Sequence, residues 1–173
     1  MKTATYDLLC RLHDHYRPRA FGKLAQKLLA ISYRLAGFRH VVERGVQGVD
    51  VDAANGSQER YATEVRTTVS LWVPFHQKDA DGLASRGQDG YQPRLAVLQL
   101  RPLSEWRLLR VERLRVGRLL IESLHPYRDR ELERRLQPCF DETVEAHFDG
   151  SLAGGQSYLD RILRELGAEV RPV

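Results

Sequence analysis

GVQGVDVDAANGSQERYATEVRTT, residues 45–68, alternates apolar and polar side chains on both sides of a turn signal. Val49, Val51 and Ala53 alternate with Asp50 and Asp52; Asn55-Gly56 marks the turn; Tyr61, Thr63 and Val65 alternate with Ala62, Glu64 and Arg66. Period-two patterning around such a turn predicts a β-hairpin. A two-residue Asn-Gly loop would pair Ala54 with Ser57, which places Asp50 and Glu64 on opposite faces and splits the apolar set. An odd loop, for instance residues 55–59, gathers Val49, Val51, Tyr61 and Val65 and sets Asp50 opposite Glu64, so the longer loop is the prediction.

In that register Asp50, Asp52, Glu64 and Arg66 share one face, and facing residues have Cβ atoms roughly 5 Å apart. Carboxylates that close repel unless a cation joins them. A hard divalent ion, Mg²⁺ or Mn²⁺, fits, since it takes oxygen ligands from one or two carboxylates together with water and substrate phosphate. Asp50 and Glu64 are therefore the expected metal ligands, with the carbonyl of Val65 as a third. The competing reading is a polar hairpin face in water with Glu64 and Arg66 as solvated charges. Thr67-Thr68, which extend the strand, and the apolar segments on both sides that would cover such a sheet weigh against it.

An acid, a hairpin and then Glu-x-Lys resembles the PD-(D/E)xK nuclease superfamily, with Gly48-Val49-Asp50 at the first acid and Glu64-Val65-Arg66 at the E-x-K. The third position departs, Arg for Lys. The resemblance is strongest to the Mrr-like and archaeal Holliday-junction-resolvase branches. It spans about residues 18–115: an opening helix through Ala25-Gln26-Lys27 to Gly37-Phe38, the acid, Glu64-Val65-Arg66-Thr67, an apolar strand after Pro93, and Trp106. A family helix often carries Glu where Gln26 stands.

What the resemblance implies is a restriction-endonuclease-like α/β fold, a three-layer core with a central mixed sheet of four or five strands flanked by helices, plus C-terminal helices. It also implies a Mg²⁺-dependent DNA endonuclease hydrolysing phosphodiester bonds, with branched or structured DNA as a candidate substrate. The catalytic set is Asp50, Glu64 and Arg66. Arg66 cannot act as a base because guanidinium stays protonated at working pH, so its expected role is to clamp phosphate. The alternative is a nuclease-like nucleic-acid-binding protein that cuts weakly or not at all. Gln26, Lys27 and Lys78 are the candidate nucleic-acid contacts.

The 173 residues suffice for about one domain without a stabilising metal or disulfide. Cys10 and Cys139 are too few for a disulfide framework, and no apolar run approaches a membrane span, so a cytoplasmic protein without membrane contact is expected. Charge is uneven: net +6 over residues 1–44, +1 over 45–116 and −3 over 117–173. A basic front half beside an acidic pair suits DNA held through its phosphates. The expected organisation is a nuclease-like core over 1–116, with an N-terminal helix in 1–17, and a helical extension over 117–173 packed on the same domain, with a homodimer as a candidate assembly. Helices are predicted over 3–16, 19–36, from 78, over 129–148 as one helix kinked at Pro138 or as two, and, after a loop over 151–156, over 158–166 capped by Ser157. Strands are predicted over 38–43, 69–75, 94–100 and 106–111.

Overall fold

The hairpin forms in the predicted register. In the computed structural model, which describes residues 1–44, 49–100 and 105–171, His40–Arg44 (β1), Val51–Asn55 (β2) and Glu59–Thr68 (β3) make an antiparallel meander. Val51 faces Thr63, Ala53 faces Tyr61 and Ala54 faces Arg60. Asn55 and Glu59 also pair, leaving a three-residue loop in which Gly56 takes φ 77°, a left-handed conformation that costs glycine little. The odd loop keeps Val51, Ala53 and Val65 in one apolar layer, with Tyr61 packed against it. Val49 departs from the expectation: it precedes β2 and is buried in the opposite layer with Ala62.

Thr3–His15 (α1) and Pro18–Leu35 (α2) come first in the chain. Pro18 opens α2, where its missing N–H is not needed, and Gly37 at φ 90° follows its end. Phe21, Leu24, Leu28 and Ile31 form its buried stripe. After β3, Trp72–Phe75 (β4) leads into Gln77–Gln88 (α3) and Gln92–Gln99 (β5). Then follow Glu105–Arg110 (β6), Gly117–Leu120 (β7), a 3₁₀ segment Ile121–Tyr127, Arg130–Glu165 (α4) and Glu169–Arg171 (β8).

Among the described residues the central sheet has six strands in the order β6-β5-β3-β2-β1-β8. β3/β5 and β1/β8 are parallel and the other neighbours antiparallel, so the sheet is mixed. The sixth strand, one more than the upper expectation, is β8, which returns from α4 to the edge of β1. α1, α2 and α4 cover one face around Leu9, Leu28, Tyr33, Phe38 and Phe140. α3, the 3₁₀ segment and a separate β4–β7 ribbon cover the other, around Val73, Phe75, Leu83, Leu95 and Leu109. This is a three-layer arrangement, with helices on both faces of a mixed sheet.

Residues 69–75 do not form one continuous strand. Val69–Leu71 turn outward and only Trp72–Phe75 pair, with β7 rather than with the central sheet. α4 is two helical segments joined at Gly155 (φ 55°, ψ −138°), inside the gap expected between the helices over 129–148 and 158–166, while the kink expected at Pro138 is absent. Asp129 caps it, accepting from the N–H of Leu132 at 3.3 Å. No helix of the described residues is long and apolar enough to cross a membrane.

Candidate metal centre

Asp50 stands where β2 begins, and its side chain crosses to β3. Its Oδ2 accepts the N–H of Val65 at 2.8 Å, while its own N–H donates to the carbonyl of Thr63 at 3.1 Å. That bond fixes the carboxylate beside Glu64. Glu64 is 4% exposed, with Oε1 2.5 Å from Arg66 Nη1 and Oε2 buried without a hydrogen-bond donor among the described residues. Arg66 Nη2 lies 2.5 Å from Asp79 Oδ2 on the first turn of α3. Lys23 of α2 reaches around the end of the sheet, with Nζ 3.7 Å from Asp50 Oδ1 and donating to Gln26 Oε1 at 2.9 Å.

The electrostatics follow from crowding acids where their side chains are largely buried. Burial and then the charge of Asp50 push the Glu64 carboxyl up to about 8, although Arg66 opposes them. Burial likewise raises Asp50, with the Val65 N–H and Lys23 pulling the other way. Burial works against the Arg66 charge, but Glu64 and Asp79 outweigh it and hold its pKa above the ordinary value. Both carboxylates would ionise fully only with more positive charge beside them than the protein supplies.

The donor set is hard oxygen: the carboxylates of Asp50 and Glu64 and the carbonyl of Val65, which also accepts from Arg66 Nη1 at 3.0 Å. Among the described residues no group of three or more His, Cys, Asp or Glu side chains is placed to hold a metal by itself. A divalent ion here would rest on two carboxylates and one carbonyl, completed by water and phosphate, as Mg²⁺ accepts and Zn²⁺ structural sites do not. The orphaned Oε2 of Glu64 is the observation that fits such a guest.

Asp52 does not join this set. Its buried carboxylate takes Arg44 Nη2 at 2.6 Å and Arg86 Nη2 at 2.8 Å on Oδ2, so it anchors two arginines and ties α3 to the sheet. Arg86 in turn stacks on Tyr91, 4.1 Å from the ring centroid. Asp52→Asn is expected to cost roughly 1–3 kcal/mol, the range of hydrogen bonds to charged groups, measured by denaturant unfolding.

Gln26 and Lys27 are corrected by the structure. Both are buried, at 2% and 5% exposure, and neither meets solvent where a phosphate could reach. Gln26 Nε2 donates to Glu43 Oε1 at 2.6 Å, to the carbonyl of Arg44 at 2.8 Å and to that of Asp50 at 3.2 Å, so it ties the end of β1 to the residue that carries the first acid. Lys27 bridges Glu43 and Asp160. Lys78 is exposed on the first turn of α3. Sequence reading missed Lys23 and Asp79 as members of the site. Asp79, in the first turn of α3, accepts the N–H of His76 at 3.0 Å, and the same carboxylate also reaches Arg66.

The chain is an α/β domain in which, among the described residues, a six-stranded mixed sheet lies between two helical layers. No family model and no curated protein matches the chain. Among solved structures it is similar to Hjc, a Holliday junction resolvase of the hyperthermophilic archaeon Archaeoglobus fulgidus. The two are 23% identical over 57% of this chain and 88% of that one, with a TM-score of 0.47.

Proposed function

We propose that the protein is a metal-dependent DNA endonuclease of the PD-(D/E)xK type. What supports this reading is the Asp50 carboxylate held by the N–H of Val65, next in the chain to Glu64, with one Glu64 oxygen buried and without a donor among the described residues. Asp50, Glu64 and the Val65 carbonyl would hold Mg²⁺ or Mn²⁺. Such an ion, when bound, lowers the pKa of coordinated water and polarises a phosphoryl oxygen.

The chain's own residues would do the rest. The Val65 N–H holds Asp50 in its rotamer, and Gln26 holds the carbonyl of the same residue, so the first acid is fixed from both ends. Arg66 cannot accept a proton. Tied to Glu64 and Asp79, it supplies a stationary positive charge beside the phosphate. Lys23, whose side chain is 29% exposed, is the cation that can swing from Asp50 toward a substrate oxygen. It stands in for the ammonium that the E-x-K pattern would provide.

The deciding experiment is incubation of the protein with linear, supercoiled and branched DNA in Mg²⁺ or Mn²⁺ and in chelator. Metal-dependent cutting is expected; absence of cutting on all three removes the hydrolytic reading. Lys23→Ala should slow cleavage by roughly a hundredfold to a thousandfold, as for loss of one donor to a transition-state oxygen. Lys23→Arg should retain most of the rate.

A second reading has its own support. Arg66 already neutralises one oxygen of Glu64, so the site could be an ion pair that binds DNA without cutting it. It predicts salt-sensitive DNA affinity that is the same with Mg²⁺ and with chelator.

A further inference from the structure

Arg66 and Asp79 touch at the site, yet residues 67–78 between them leave it and return. Thr68 Oγ1 accepts the N–H of Ser70 at 3.0 Å and donates to the carbonyl of Trp72 at 3.1 Å, and the Trp72 N–H donates to Ser70 Oγ at 3.2 Å. Trp72 therefore stands beside Thr68, which is two residues and roughly 7 Å along the strand from Arg66. β4 turns Val73 and Phe75 into the core and leaves its other face outward. Val69, Leu71 and Trp72 are 51%, 49% and 41% exposed, three large apolar side chains within four residues. Val69 continues into a surface hollow of about 230 Å³ walled by Thr67, Thr68, Phe21 and Leu100.

Charge says what covers this surface. Residues 67–78 and 113–121, which supply β4, β7 and their flanks, contain Lys78, Arg113, Arg115 and Arg118 and no Asp or Glu. All four cations are exposed, and the Arg118 guanidinium lies 5.6 Å from the centre of the Trp72 ring. A second copy laid on this ribbon would bring the same cations face to face, so a self-complementary interface is disfavoured. A polyanion with flat apolar groups satisfies both the charge and the exposed ring.

We infer that the β4–β7 ribbon is a platform for an unpaired nucleic-acid strand, with one base stacked on Trp72 and the flanking phosphates held by Arg118 and its neighbours. The inference deepens the proposed nuclease reading and rests on it for the identity of the polymer. It assigns the substrate class: DNA or RNA with unpaired bases close to the cleaved bond, in preference to continuous duplex.

The test is tryptophan fluorescence of the full chain in chelator, titrated with a short oligothymidylate, the corresponding oligouridylate and a duplex of equal length. Quenching by the single strands is expected, because Trp106 is buried and Trp72 is open. Trp72→Ala should abolish the quench and weaken single-strand binding roughly tenfold to a hundredfold, the range of one base–aromatic stack, with duplex affinity changed less than about twofold. Trp72→Phe should keep most of the affinity. Equal single-strand affinity in Trp72→Ala overturns the inference, as does an equal loss for duplex. Insertion of Trp72 into anionic phospholipid vesicles without quenching by oligonucleotide, or a dimer that Trp72→Ala dissolves, overturns it also. Single-strand quenching with no cleavage in Mg²⁺ leaves the platform standing and removes only the hydrolytic reading; cleavage that ignores both Trp72 and unpaired bases does the reverse.

Discussion

Glu64→Gln is expected to abolish metal-dependent cleavage while making the metal-free protein more stable above neutral pH. The two effects have one cause. In the folded protein, burial and the Asp50 charge hold the Glu64 carboxyl up to about 8, against 4.5 for the unperturbed group. A folded-state pKa above the unfolded value favours the native state while the group is protonated. That contribution is complete below about 4.5 and is lost as pH rises through about 8. Gln carries no charge to lose, so the variant should lack this part of the pH dependence and melt a few degrees higher at pH 8 in chelator. Cleavage should fall by roughly a thousandfold or more, since several kcal/mol of metal-derived stabilisation go with the ligand. Mg²⁺ should raise the melting temperature of the wild type, by binding the folded state alone, and leave the variant unmoved. Cleavage at the wild-type rate by Glu64→Gln, or an equal Mg²⁺ shift in both proteins, would remove Glu64 from the metal centre.

The portion of this site that could be read from the chain was the local portion. Strand alternation fixes which face a residue takes, and loop parity fixes what lies opposite, so the pairing of Asp50 with Glu64 was available from residues 49–66 alone. The same logic failed for Asp52, which shares the face but is claimed by Arg44 and by Arg86 of α3, a helix whose docking no period reveals. Lys23 and Asp79 were hidden for the same reason. Each sits on a helix where a polar residue reads as solvent-facing or capping, and only the packing of α2 and α3 around the sheet end brings them to Arg66 and Asp50. β8 was missed because three residues, Glu169–Arg171, carry too little pattern to declare a strand until β1 offers them an edge. α4 was read half correctly: proline removes a hydrogen bond and so drew a kink to Pro138 that is absent, whereas the backbone departs from helix at Gly155, inside the gap the sequence placed between residues 148 and 158.

Lys27→Met should unfold the protein far more readily than its surface-like sequence context suggests, and should leave DNA affinity unchanged. The Lys27 ammonium lies 2.9 Å from Glu43 Oε2 and 2.6 Å from Asp160 Oδ1, with its own side chain 6% exposed and that of Glu43 fully buried. Removing it leaves the fully buried Glu43 carboxylate of β1 facing that of Asp160 on α4, which is 25% exposed, with no ammonium between them. Breaking a buried pair in this way costs about 3–5 kcal/mol. Burial already raises the Glu43 carboxyl and Lys27 is the chief opposing influence, so its loss raises that carboxyl further. The folded variant then gains by binding a proton. Its deficit against wild type should be largest at alkaline pH and should shrink as pH falls toward the ordinary carboxylate range. Adding Glu43→Gln removes one of the facing charges and should recover part of the loss. Denaturant unfolding across pH tests the stability, and duplex binding at low salt tests the position of the ammonium. A variant as stable as wild type but weakened for DNA would mean that Lys27 faces the phosphates; the buried bridge predicts the opposite pair of results, because a side chain spent between Glu43 and Asp160 has no charge left to offer a ligand.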